Sequence, residues 1–193
     1  MPNISAHMIV AQEIAKKLNI NRDDFIKGNL LPDIIDMENS HHKLQVGVYK
    51  VPNIEYFLQS LDLSKDINVG YLTHLLLDKH YLIDYLSNLY PNTDVFLDGA
   101  IYKDYDYLNY LLVSKFGLQT DKLESVLSQY DCKILKEKLE YNLECLKQKK
   151  DGKTKYLNFE SFAMFLLDIS DIISKELLDY ASKFSKLYIR IRQ

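Results

Sequence analysis

A chain of 193 residues has room for one domain with a sizeable core and little space for a second of ordinary size. Its composition, 47% hydrophobic and 26% charged, is that of a globular protein rather than a disordered one. A net charge of −3 gives no global attraction to nucleic acid or to an anionic membrane, so no general nucleic-acid-binding surface is expected and any ligand must be held by a local site.

The first residues, Met1 to His7, carry neither a basic segment nor an apolar run of the signal-peptide kind, and a cytoplasmic location is the expectation. Ile4, His7, Ala11, Ile14 and Leu18 recur at helical spacing, predicting a helix over about 4–19 with Asn3 as its cap. Asn21 to Asp24 reads as a turn, and Asp24 as the cap of a short helical piece ending at Gly28. Residues 28–51 read as irregular, with Gly28, Pro32, Gly47 and a polar cluster over 37–43. Pro52 suits the first position of a helix reaching about Leu61.

Ser64 is expected to cap a helix over about 65–89, stopped by Pro91. It is apolar around most of its circumference, as expected of a helix at the centre of a bundle. Longer apolar runs do not occur: the richest window, Tyr71 to Leu86, is interrupted by His74, Asp78, Lys79, His80 and Asp84, so no membrane span is expected. Further helices are predicted at about 103–116, closed by Gly117, and at 121–130 and 132–149. A last one is expected over 159–188, capped by Asn158 after a turn at Asp151-Gly152 and broken near Ser170. Cys132 and Cys145 fall in one predicted helix about 20 Å apart, too far for a disulfide.

The residues that carry chemistry are spaced in a telling way. In Gly70-Tyr71-Leu72-Thr73-His74-Leu75-Leu76-Leu77-Asp78, the histidine and the aspartate are i and i+4 and project side by side. So placed, they either share one metal ion or hydrogen-bond each other inside the core. His7 lies in the apolar stripe of the first helix and points inward, as a ligand or as a packed histidine. Between them, Pro32 shapes a turn, Asp33 follows at once, and Ser40-His41-His42 comes soon after. That set is suited to close a metal shell from the loop side; taken alone it reads as a capping aspartate and two surface histidines.

No histidine follows His80, which lies round the helix from the His74/Asp78 face and reads as packing or outer support. Asp84 is nearer that face but more than a turn away. Tyr71 shares the face of His74, as a core tyrosine or as a phenol that orients a ligand. Asp104 and Asp106 read first as acidic residues at a helix N-terminus and second as substitute ligands.

In combination, an early helical His, F-x-x-G-x-x-x-P-D, S-H and G-Y-x-x-H-x-x-x-D resemble the zinc-dependent phospholipase C family, most closely its small intracellular bacterial relatives. These motifs cover about residues 4–86. The resemblance implies a helical bundle with metal ions clustered at one end, hydrolysing phosphodiesters or phosphomonoesters. By position it implies that Asp33, His41, His74 and Asp78 hold one ion, while His7 serves a neighbouring one with Asp78 between them. His41 is preferred to His42 because the family's histidine directly follows the serine that stands here as Ser40. The chain departs from the secreted members of the family. It has no tryptophan to ligate through its amino group, no H-x-x-x-E set, and His42 where an aromatic is usual. One or two ions are therefore expected rather than three.

The expectation is a single all-α, metal-binding domain over 1–193, resembling the phospholipase C bundle and acting on a small phosphate ester. Zn²⁺ is the expected cofactor, with Mn²⁺ or Fe²⁺ admissible, and Asp33 is the expected proton acceptor. An HD-domain phosphohydrolase is the second enzyme reading, but the adjacent His-Asp it requires is absent. A non-catalytic helical protein with a structural or relic metal site is the third, supported by the missing H-x-x-x-E set.

Overall fold

The computed structural model describes residues 2–35, 39–118, 146–150, 152–183 and 190–191, with positions 137, 140 and 144 between them. The described chain is mostly helical and of the all-α class. Helix α1 (Ile4–Lys17) is capped by Asn3, whose side chain accepts from the Ala6 N–H at 3.1 Å. It ends two residues before the predicted boundary because Leu18–Asn19 (β1) turns extended and pairs antiparallel with Arg190–Ile191 (β4).

Helix α2 (Arg22–Ile34) departs from expectation. Its cap is Asn21, not Asp24: the Asn21 side chain accepts from the N–H groups of Asp23 and Asp24 at 3.1 and 3.3 Å. The helix also continues through Gly28 and Pro32, across the first part of the segment expected to be irregular. Gly28 is there for close approach. A Cβ on it would lie 1.7 Å from the Ile67 carbonyl oxygen, and one on Gly70 would lie 2.0 Å from that of Phe25. The two glycines let two backbones cross in contact, and burial along that crossing offsets the roughly 1 kcal/mol that glycine costs in a helix. Pro32, close to the C-terminal end, forfeits only one ladder bond.

The rest of the supposedly irregular segment holds a hairpin of β2 (Leu44–Val46) and β3 (Tyr49–Val51), with Leu44 opposite Val51 and Gly47 at φ +57° in the turn. Helix α3 (Ile54–Ser60) is capped by Asn53, one residue past the predicted proline start. Helix α4 (Asp66–His80) is the central element, packed most extensively on α2 and also on α1, α3 and α6 (Phe159–Lys183). Leu72, Leu75, Leu76 and Leu77 are fully buried around it. Ser64 does not cap it; the hydroxyl bonds Asp62 instead. The helix passes into a π-helical stretch (Tyr81–Leu86) before a last α-turn (Ser87–Leu89). There the Ser87 hydroxyl donates five residues back to the Leu82 carbonyl.

Helix α5 (Ala100–Phe116) closes on Gly117 in the left-handed conformation, as expected. Asn158 caps α6 through the Ser161 N–H. No break occurs at Ser170; the Ser170 and Ser174 hydroxyls donate back to the carbonyls of Leu166 and Ser170 at 2.6 Å within a continuous helix. The predicted helix over 121–130 lies outside the described residues, as do 184–188, Cys132, Cys145 and Asp151. Within 132–149, positions 137, 140, 144, 146 and 147 are helical. No described helix is long and apolar enough to cross a membrane.

Candidate metal centre

Where α1, α2 and α4 meet, their inward faces bring polar groups together inside the core. His7 comes from α1, His74 and Asp78 from α4, and His41 from the segment before β2; all four are 0% exposed. Asp33, in the last turn of α2, stands at the edge of this group with its side chain 30% exposed. The five positions singled out in the sequence are thus brought together from three helices and a loop.

Asp78 occupies the middle. Its Oδ1 lies 3.4 Å from His7 Nε2, and its Oδ2 lies 3.1 Å from His41 Nε2 and 3.6 Å from His74 Nε2. His74 Nε2 is also 3.7 Å from Asp33 Oδ1. The His7 and His74 rings are stacked, 3.7 Å between centroids and 7° apart, while His41 meets His74 edge-on. Ligand-type atoms of His7, His74 and Asp78 fall within 4.8 Å of one another, and so do those of Asp33, His41 and His74.

The far sides of two imidazoles are anchored. His74 Nδ1 is 2.7 Å from the Asn29 carbonyl, which only accepts, so Nδ1 carries the proton and Nε2 the lone pair. Asn29 also links helices through its side chain: with its amide nitrogen toward the His7 carbonyl (3.0 Å), its oxygen faces the His74 N–H (3.3 Å). His41 Nδ1 is 2.7 Å from Ser40 Oγ. Tyr71 donates to the Ser40 carbonyl at 2.6 Å, and burial pushes its phenol up to about 12.

The near sides are bare. His7 Nε2, His41 Nε2, His74 Nε2 and both Asp78 oxygens are buried without a hydrogen bond, as is His7 Nδ1. Burial first, and then the neighbouring His7, pushes the His74 pKa down to about 4, so His74 is neutral near pH 7. Burial by itself would raise the Asp78 carboxyl, but the imidazoles facing it, His74 foremost, hold it ionised, well below the usual carboxylate range. Both Asp78 oxygens thus face imidazole nitrogens without forming a hydrogen bond, and a cation at the point of convergence would satisfy them together. The atoms present fit a divalent ion, and the mixed nitrogen and oxygen donors suit zinc, with manganese and iron admissible.

Other candidates have different partners. His42 takes a positive φ of 42° and its ring packs on Tyr56 at 3.8 Å, leaving His41 to face the cluster. Asp104 is not at a helix N-terminus: from within α5 its carboxylate accepts from the N–H groups of Lys155, Tyr156 and Leu157 at 2.6–2.9 Å. Asp106 pairs with Lys150. His80 bonds Asp84 and Glu176. A groove of about 500 Å³ between α5 and the start of α6, lined in part by Tyr107, Lys153 and Phe159, shares no residue with the cluster.

The supporting roles of Asn29 and Ser40 escaped the sequence reading. Had 22–34 been taken as one helix, Asn29 and Asp33 would have stood out at i and i+4 on a shared face. Comparison with protein-family models, curated proteins and solved structures gives no match for this chain.

Proposed function

We propose that this cluster holds divalent metal, zinc foremost, and that the chain is a metal-dependent hydrolase of phosphate esters of the kind its phospholipase C-like motifs imply. The observation that carries the reading is Asp78: a fully buried carboxylate with both oxygens free of hydrogen bonds and three imidazole nitrogens facing it. By the resemblance, Asp33, His41, His74 and Asp78 would hold one ion and His7 with Asp78 would serve a neighbouring one; ligand-type atoms of His7, His74 and Asp78, and of Asp33, His41 and His74, lie close enough together to serve.

Bound metal supplies a nucleophilic water at neutral pH and neutralises charge on the phosphoryl oxygens. The chain's own residues do the rest. Asn29 fixes the His74 ring, the apolar wall around α4 keeps bulk water away, and Asp33 is left at the solvent edge to accept the proton of the attacking water.

Untagged protein supplemented with zinc is expected to carry at least one ion per chain and to hydrolyse a nitrophenyl phosphodiester. Metal well below one equivalent overturns the reading. A structural site is the second reading, favoured by the burial of four of the five residues. Tight metal binding without hydrolysis of any ester in a broad phosphate panel would select it.

A further inference from the structure

We infer that Ser40 is the positioning residue that presents His41 to the metal, by fixing its imidazole as the Nδ1–H tautomer; this rests on the metal reading of the cluster. Ser40 is buried at 4% exposure, and its hydroxyl contacts two groups. One is the Pro32 carbonyl at 2.9 Å, which only accepts, so the single hydroxyl proton points there. Toward the other, His41 Nδ1 at 2.7 Å, the oxygen has only lone pairs left. Nδ1 must then be the donor, and the lone pair falls on Nε2, the atom 3.1 Å from Asp78 Oδ2.

The opposite tautomer would change the character of the site. An Nε2–H would donate to Asp78, and the pair would become an ordinary buried hydrogen bond with no ligand to offer. Ser40 therefore decides between a metal ligand and a packed histidine. The same residue, through its hydroxyl and its carbonyl, gathers the remaining ligands. Carbonyls in the last turn of a helix lack a following N–H, and Ser40 satisfies that of Pro32, next to Asp33. Its own carbonyl accepts from Tyr71, three residues before His74 on α4. The chain beyond is held as well, since Asn53 N–H donates to the His41 carbonyl at 3.1 Å. One residue thus ties the end of α2, the loop and α4 together around the site.

The test is nitrogen-15 NMR of metal-free, histidine-labelled protein at mildly alkaline pH, followed by zinc titration. Wild-type His41 is expected as the Nδ1–H tautomer, and Ser40→Ala is expected to lose that preference. The variant's zinc affinity should fall by about 10–100-fold, the usual cost of removing a group that orients a metal-bound histidine. His42→Ala should leave the affinity unchanged. His41 found as the Nε2–H form in the wild type, or Ser40→Ala zinc affinity equal to wild type, overturns the inference. The wild-type tautomer decides even if Ser40→Ala fails to fold. Wild-type protein that shows the Nδ1–H form yet takes up no zinc would overturn the metal reading and leave the tautomer assignment standing.

Discussion

Helix α4 and its π-helical extension carry one pattern twice, His74 four residues before Asp78 and His80 four residues before Asp84. Both pairs stand side by side on the helix, yet their surroundings differ completely. His80 uses both ring nitrogens, Nδ1 toward Asp84 and Nε2 toward Glu176 of α6 at 3.1 Å. Burial disfavours its charge, but hydrogen bonds to Glu176 and Asp84 outweigh that and raise its pKa. It bridges two acids, one of them more than half exposed. Around Asp78 the neighbouring elements contribute imidazole nitrogens and no hydrogen bond. Spacing makes two groups neighbours; what other elements place against them decides whether they form a ligand set or a closed pair.

Asp104 makes the same point from another helix. Like Asp78 it is buried in an apolar setting, but three backbone N–H groups saturate it.

The largest expected effect falls on Asp78. If the cluster binds zinc as proposed and only the folded state binds it, a thousandfold excess over the dissociation constant adds about 4 kcal/mol of stability. Asp78→Asn should remove that increment together with phosphodiesterase activity, and His74→Ala should do likewise, as read by calorimetry and nitrophenyl release. Asp78→Asn protein that keeps the zinc increment would remove Asp78 from the metal site.

Next in size is a pH effect, opposite in sign for the two histidines. Folded His74 has its pKa lowered to about 4, against 6.5 ordinarily, so below pH 6.5 the unfolded chain binds more protons than the folded one. Its stabilising contribution is complete above that value and is lost as the pH falls toward 4, by roughly 3 kcal/mol. His80, with a raised pKa, contributes stability that is complete below pH 6.5 and is lost as the pH rises through its folded value. Urea midpoints of metal-free protein across this range should show acid loss in the wild type, and His80→Gln should remove only the alkaline component. An acid limb that is unchanged in His74→Ala would assign it to another group.

Asp104→Asn is expected to cost about 2 kcal/mol, because an amide replaces a charged acceptor of several N–H groups. Zinc affinity should not change; a loss of zinc would place Asp104 in the metal centre after all. The smallest effect belongs to His80→Ala, with about 1 kcal/mol lost and hydrolysis intact. Abolished hydrolysis there would erase the contrast between the two pairs.

Much of this molecule is written in short-range pattern. The caps at Asn3 and Asn158, the stop at Gly117, the burial of α4 and the inward-facing His7, His74 and Asp78 all follow from helical period and local hydrogen-bonding chemistry, which operate within a few residues. Tertiary structure decided the rest. Gly28 reads as a terminator, yet α2 runs through it because only a glycine lets its backbone meet that of α4 at Ile67. The same continuation carries Asn29 and Asp33 to the cluster. Ser40 looks like a loop serine until the Pro32 carbonyl and His41 close on its hydroxyl. His80 and His74 differ only in what α6, α1 and the loop place opposite them. A side chain's direction is set by the backbone around it, whereas the satisfaction of its polar atoms depends on residues far along the chain, and only the folded packing supplies those.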